Sequence, residues 1–303
     1  MESTVEIRLL DFCARLEGPA PILEEIAAIY PATPSWAHSA SDEVAADFLV
    51  ETDAPQPTSY RIVCDGNAVW WGSSRNEVVA AAEWAVNTAA VAAMASSYLL
   101  FHSGVVAYGT CGVLLPGASG TGKSTLVAAL ASAGLCCLGD EVAALEPHTG
   151  RLLPFGNAPA VKRGGLRLLR SLCPEMPRMA SLRRIDGVSV WYLRASEPTW
   201  PHEPVPVRYV IFPARTFDHS ATLTPLSRPD GLARLLAQAI NTQAHGAAGM
   251  ATLVATLRDA ECYDLGVGDL EETVDLVMGL VAPSGGAQVG KTPENGWVTT
   301  CPA

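Results

Sequence analysis

Basic residues are in short supply in this chain: 20 lysines and arginines stand against 31 aspartates and glutamates, leaving a formal net charge of −11. A protein that grips a nucleic-acid backbone or an anionic membrane needs a basic footprint to neutralise phosphates. The deficit argues against DNA, RNA or lipid as the main partner and leaves a peptide substrate open. Paired cysteine motifs are missing as well. The cysteines at 13, 64, 111, 136, 137, 173, 262 and 301 include no Cys-x-x-Cys pair, which excludes a zinc ribbon or a thioredoxin-type site. Cys136 and Cys137 sit in an apolar run and read as small buried hydrophobes, and the thiols together predict a reduced, cytoplasmic compartment. The opening residues MESTVEIRLLDF have neither the basic patch nor the apolar stretch of an export signal. A membrane span is not expected either. Residues 84–101 carry no charge, but alanine and serine dominate them and Asn87, Thr88 and Ser96 interrupt them. Alanine contributes little transfer energy, so this stretch reads as part of a packed core helix in a soluble protein.

What is present is an ordinary globular composition, 49% hydrophobic and 17% charged over 303 residues, enough for one large domain or two modest ones. The first part has the texture of a small α+β module: a strand over 5–10, a short helix over 21–30, a loop over 53–58, and a hairpin of 60–64 with 68–71. Asp65-Gly66-Asn67 supplies the positive φ that such a hairpin turn needs. A helix follows over 75–97, capped by Ser73 or Ser74. The centre predicts two apolar strands, 102–108 and 112–115, joined at Gly109-Thr110. A glycine-rich loop comes next, then a helix over 123–133 ended by Gly134, and an apolar strand over 135–138. Residues 152–168, with Pro154, Gly156, Pro159, Gly164 and Gly165, read as an irregular loop. Strands are expected over 188–193 and 207–213, helices over 228–243 and 270–281, and a disordered tail from 283.

The most informative segment is Gly117, Ala118, Ser119, Gly120, Thr121, Gly122, Lys123, Ser124, Thr125. Its G-x4-G-K-[ST] spacing is that of a P-loop. The glycines let the backbone curl so that several N–H groups converge on an anion, and the following helix adds its positive end. In such a loop Lys123 reaches the β- and γ-phosphates of ATP or GTP and the Ser124 hydroxyl ligates Mg2+. Thr125 then belongs to the helix. The loop lies between a predicted strand and a predicted helix, the context the motif requires.

Asp140 and Glu141 follow one helix and one strand later, which returns them to the same sheet edge beside the loop. A carboxylate there can hold Mg2+ or accept a proton from an attacking hydroxyl. His102 opens the strand before the loop strand, where it is either structural or in contact with phosphate or substrate. Arg163, Arg167, Arg170, Arg178, Arg183 and Arg184, with Arg194 just beyond, form a basic stretch. It is either a solvated surface or an acceptor-binding or phosphate-covering segment.

The run FHSGVVAYGTCGVLLPGASGTGKSTLVAALASAGLCCLGDE resembles the catalytic domain of HPr kinase/phosphorylase and its shorter HPr-kinase-related relatives. They share a histidine-led strand, a hairpin into the P-loop, and an acidic pair one helix and one strand on. The likeness covers 98–145 well, with a looser echo at Pro159 to Lys162 and over 207–215. It implies an α/β fold, with a P-loop kinase core of HPr-kinase/PEP-carboxykinase-like type over 98–282 and an α+β module with its linking helix over 1–97. It implies transfer of the γ-phosphoryl of ATP to a serine of a protein or a ribosomally made precursor peptide. By position, residues 117–124 would hold phosphates and Mg2+, Asp140 would be the catalytic carboxylate, and Glu141 or Ser124 would serve the metal. His102 would lie at the phosphates, and Lys162 and Arg215 would contact substrate or phosphate.

The chain departs from that family in three ways. Glu141 stands where the family usually has a second aspartate, the glycine-rich second signature is not recognisable, and the N-terminal hundred residues do not match. Neither phosphorylase activity nor a hexamer is therefore carried over, and a homo-oligomer stays open. A small-molecule kinase would use the same phosphate chemistry. A transport-type ATPase would place its acidic pair further from the loop and carry an LSGGQ-like signature, absent here. A regulatory module would bind nucleotide without transferring phosphate.

Overall fold

Alternating apolar and polar residues at the start of the chain build a sheet with one wet face. The computed structural model describes residues 2–37, 43–53, 58–172, 178, 180–193, 200–215 and 220–282, and the expected disordered tail lies outside them. Strands β1 (Glu2–Leu9) and β2 (Phe12–Pro19) form a hairpin, and helix α1 (Ala20–Ala27) leads on to β3 (Ala46–Thr52), parallel to β2. Strands β4 (Tyr60–Cys64) and β5 (Asn67–Gly72) complete a five-stranded sheet in sequence order. Their turn has φ 48° at Asp65 and 80° at Gly66, as a tight hairpin of this kind demands. Helix α2 (Arg75–Met94) starts after Ser74, whose side chain makes no capping hydrogen bond.

The central strands are apolar throughout because helices cover both of their faces. Strands β6 (Leu99–Tyr108) and β7 (Cys111–Pro116) form the expected hairpin at Gly109, and helix α3 (Lys123–Ser132) follows the glycine-rich loop. Strands β8 (Cys136–Gly139) and β9 (Val142–Leu145) both pair antiparallel with β6, one opposite Val105–Ala107 and the other opposite Leu99–His102. They are two halves of one strand, interrupted at Asp140-Glu141. A short β10 (Leu152–Leu153) pairs with β9.

Two expectations need correction. Residues 152–168 are not an irregular loop, since they contain β10, β11 (Ala160–Lys162) and the start of helix α4 (Arg163–Leu172). The adjacent glycines at 164 and 165 hide that helix in the sequence, yet Gly165 is needed for packing: a Cβ there would lie 2.0 Å from Thr125 Oγ1. Strand β11 joins β12 (Leu182–Arg183) and β13 (Ser189–Tyr192) in a three-stranded sheet. Strand β14 (Val207–Arg215) runs parallel to β7, and β15 (Thr222–Leu226) follows. The second correction concerns 228–243, which is not one helix. Helix α5 (Arg228–Leu236) ends before α6 (Thr242–Asp259) begins, and Asn241 between them accepts from Leu100 N at 2.8 Å. Strand β16 (Glu261–Val267), parallel to β14, and α7 (Leu270–Val281) finish the chain.

The protein is thus mixed α/β, with an eight-stranded main sheet in which β10-β9-β6-β7-β14-β16-β15 are neighbours in turn and β8 also borders β6. Neighbouring residues on its strands serve opposite cores. Val106, Val113 and Ile211 pack with α3, α4 and α7, whereas Val105, Leu114 and Val210 pack with α5 and α6. The first sheet is not isolated from this body, for Leu16, Phe48 and Ile62 share one buried cluster with Phe155, Val190 and Tyr192. No described helix is long and apolar enough to cross a membrane.

Helix α3 sits so close to β6 that a Cβ on Gly104 would meet Val127 Cγ2 at 2.5 Å. Gly104→Ala should lower the unfolding free energy by about 1–3 kcal/mol through overpacking. Val127→Ala on that background should restore part of the loss in denaturant titrations, which separates a local clash from a general effect of the substitution.

Candidate functional site

The loop over 117–122 leaves β7 and delivers the chain to α3. Gly120 and Gly122 hold φ of 92° and 104°, and a Cβ at either would meet nothing within 4 Å. Glycine is required there for backbone conformation and not for space. Lys123 is 7% exposed; its Nζ donates to the carbonyls of Gly117 and Ala118 (3.1 Å to the latter) and lies 3.2 Å from His102 Nε2. Burial holds the Lys123 ammonium below its ordinary pKa. Burial also lowers that of His102, and the Lys123 charge lowers it further. A neutral His102 accepting at Nε2 carries its proton on Nδ1, the nitrogen 3.8 Å from Glu141 Oε2. Across the loop Lys162 Nζ donates to Ser119 Oγ at 3.2 Å.

Asp140 occupies the break between β8 and β9. Its backbone is clamped by Asn157, which accepts from Asp140 N at 2.9 Å and donates to the Asp140 carbonyl. The side chain is 1% exposed, and Oδ2 accepts from Ala160 N at 3.1 Å while Oδ1 has no hydrogen bond among the described residues. Burial pushes its pKa up to about 6, opposed chiefly by the Ser124 hydroxyl and reinforced by the charge of Glu141. A buried carboxylate oxygen left without a donor is costly and rare. Here Asp140 lines the same cleft as Lys123 and Ser124, where a proton or a cation would satisfy that oxygen.

Glu141 holds φ 84°, uncommon outside glycine, and its carbonyl accepts from Ser103 N at 3.2 Å. This twist sends its carboxylate to Arg184, whose Nη1 donates to Oε1 at 3.0 Å. Behind Arg184 lies Glu83 of α2, buried and pushed up to about 7 by desolvation, with the Arg184 charge opposing. Asn87 Nδ2 donates to Glu83 Oε1 at 2.6 Å, and Tyr30 OH donates to Asn87 Oδ1 at 3.0 Å. A line of polar side chains therefore runs from Tyr30, in the turn after α1, through α2 into the cleft.

The cleft holds about 100 Å3 and brings together nearly every residue singled out in the sequence. His102, Ser119, Gly120, Gly122, Lys123, Ser124, Thr125, Asp140, Glu141, Lys162 and Arg215 all line it. Gly117, Ala118 and Thr121 shape the loop behind it, Thr121 Oγ1 donating to the Ala118 carbonyl at 3.0 Å. The chain has three lysines, at 123, 162 and 291, and two of them border this one cleft. Of the arginine stretch, Arg184 lines it. The sequence marks Arg184 only as one of a basic stretch, and it marks neither Asn157 nor Glu83. The only signal for Glu83 was one carboxylate in the otherwise apolar VVAAAEWAV. Among the described residues no group of three or more His, Cys, Asp or Glu could cage a metal. Ser124 and Asp140 offer a hard cation two oxygens, a donor set that suits Mg2+ arriving with phosphates and retaining waters. Glu141 is committed to Arg184.

No protein-family model matches the chain, and comparison with curated proteins gives no match.

Because the folded-state pKa of Asp140 lies near 6, above its ordinary 3.8, its neutral form stabilises the fold. That contribution is full below the ordinary value and is lost as pH rises through about 6. Asp140→Asn should therefore raise the unfolding free energy at pH 8 by about 1–3 kcal/mol and change it little at pH 4. Thermal melts at the two pH values read the difference, and a variant less stable than the parent at pH 8 contradicts the assignment.

Proposed function

We propose that this protein is an ATP- and Mg2+-dependent kinase built on a P-loop core of the HPr-kinase-like type. In this reading it transfers the γ-phosphoryl group to a serine hydroxyl of a protein or a ribosomally made precursor peptide. The observation that carries it is the buried Asp140 carboxylate, held with one oxygen free in the same small cleft as a glycine-rich loop and its lysine.

Lys123 donates to loop carbonyls in the free protein, and an arriving triphosphate offers its ammonium better acceptors in the β- and γ-oxygens. The loop amides and the start of α3 face the same charge. His102, neutral, keeps Lys123 from swinging away. Ser124 and Asp140 would hold Mg2+, which when bound neutralises phosphate charge. With a pKa near 6, Asp140 is mostly ionised at neutral pH and accepts the serine proton as the hydroxyl oxygen attacks. The new O–P bond forms while the bond from Pγ to the bridging oxygen breaks, and that electron pair leaves with ADP. Arg184 fixes Glu141 beside His102, and Lys162 and Arg215 supply positive charge at the rim.

Asp140→Asn should lower phosphoryl transfer by about 10²–10⁴-fold, the range for a positioned base, with binding of a fluorescent ATP analogue nearly unchanged. Lys123→Ala should impair both. For the parent enzyme kcat/KM should fall about tenfold per pH unit below pH 6, as protonation removes the base. Mass spectrometry reads the product as a gain of about 80 Da on a serine peptide. ADP release at equal rates with and without peptide, and with no phosphorylated product, would overturn the kinase reading.

A further inference from the structure

Residues 160–184 contain Lys162 and six arginines against one carboxylate, Glu175, so this stretch carries +6 while the rest of the chain carries −17. Helix α4 organises part of that charge. Leu166 and Leu169 turn inward to the core shared with α3, whereas Arg163, Arg167 and Arg170 are exposed. The spacing i, i+4, i+7 places the three on one helix face, where like charges repel and weaken the helix. Among the described residues none of the three makes an ion pair, unlike Arg183, 3.8 Å from Glu77, and Arg184, bound to Glu141. A cationic stripe with no ion-pair partner among the described residues, on a protein of net charge −11, is a complementary surface for an external anion.

Its position says where that anion would be used. Gly164 and Gly165, in the first turn of α4, line the cleft. The absence of a side chain at Gly165 lets the helix seat against Thr125, and thereby fixes the stripe relative to the glycine-rich loop. We propose that the Arg163–Arg167–Arg170 face of α4 docks an acidic segment of the polypeptide acceptor and presents a neighbouring serine to the cleft. The segment's role as acceptor rests on the kinase reading; the docking itself does not need nucleotide.

Length favours a short acidic peptide over a polyanion. The stripe runs about 10 Å, which an extended chain covers in about three residues. A nucleic acid or an anionic membrane would continue beyond it onto a surface carrying the remaining negative charge, at distances where screening at about 0.1 M salt is incomplete. Acidic residues should lie within about three to six positions of the serine.

The test uses the full chain and two fluorescein-labelled peptides without nucleotide, one with glutamates beside a serine and a twin with glutamines in their place. Fluorescence anisotropy at low salt should show the acidic peptide bound about tenfold more tightly, as expected for a few exposed charge pairs. The preference should vanish in about 0.5 M salt. It should vanish also in R163E/R167E/R170E and weaken in R163Q/R167Q/R170Q, with thermal melts and ATP-analogue binding like the parent's. Equal binding of the two peptides overturns the proposal. So does tighter binding of a single-stranded oligonucleotide, or of vesicles rich in phosphatidylserine, when that binding is lost in the same variants. Preferential capture of the acidic peptide without its phosphorylation would leave the docking face standing and remove the kinase reading.

Discussion

The structure turns on a carboxylate placed where the fold least wants one. Asp140 interrupts a strand beside β6, inside a body whose other interior groups are almost all apolar. Desolvation alone would expel it or keep it neutral. The surroundings prevent both. Asn157 clamps its backbone from two sides, the Ala160 amide holds one oxygen, and β6 approaches through Gly104 with no side chain to fill the space. The result is a group ionisable near neutrality, with one oxygen that accepts no hydrogen bond among the described residues. Such frustration persists only where the rest of the structure over-determines it, and it marks sites of chemistry more often than accidents of packing.

That over-determination comes from both parts of the chain. The two-sided main sheet fixes β6, β7 and α3, and with them the loop and Lys123. The first sheet and α2 share a core with β13, so Glu83, Arg184, Glu141, His102 and Lys123 form one chain of alternating charge and hydrogen bonding across the join. Each member tunes the next: Arg184 steadies two carboxylates, Glu141 faces the imidazole, and the imidazole meets the ammonium. An N-terminal module that merely sat beside the site would not bury a carboxylate on its long helix and aim it at an arginine of the cleft.

The legible parts of the sequence were those where local chemistry and tertiary context agree. The hairpin at Asp65-Gly66, the helix from Arg75, the β6–β7 hairpin and the loop into α3 all announce themselves through turn residues, periodicity or spacing. Strand β2 escaped because Phe12, Cys13 and Ala14 are all buried, which erases the alternation that marks a half-wet strand. Helix α4 escaped because two glycines stand in its first turn, a local disfavour outweighed by the contact Gly165 makes possible. Around the cleft, residues with recognisable spacing could be named in advance. Asn157 and Glu83 could not, and Arg184 only as one of a basic stretch, since each acts through a partner distant in sequence, and nothing local distinguishes a clamping asparagine from a loop asparagine.

The distribution of charge ties these pieces together. An acidic protein with three lysines keeps two of them at one cleft and adds Arg184 and Arg215 to its walls. Burial holds Lys123 below its ordinary pKa, with the Lys162 charge adding to it and Asp140 and Glu141 opposing, and burial and the Lys123 charge hold down that of His102. Desolvated cations of this kind are stabilised when an anion enters beside them. The free oxygen of Asp140 sets the opposite requirement a short distance away, for a cation or a proton. In the proposed kinase reading one ligand would answer both: a metal-bound triphosphate would bring anionic oxygens to the lysine and a hard cation to the carboxylate, with the acceptor hydroxyl as the source of the proton.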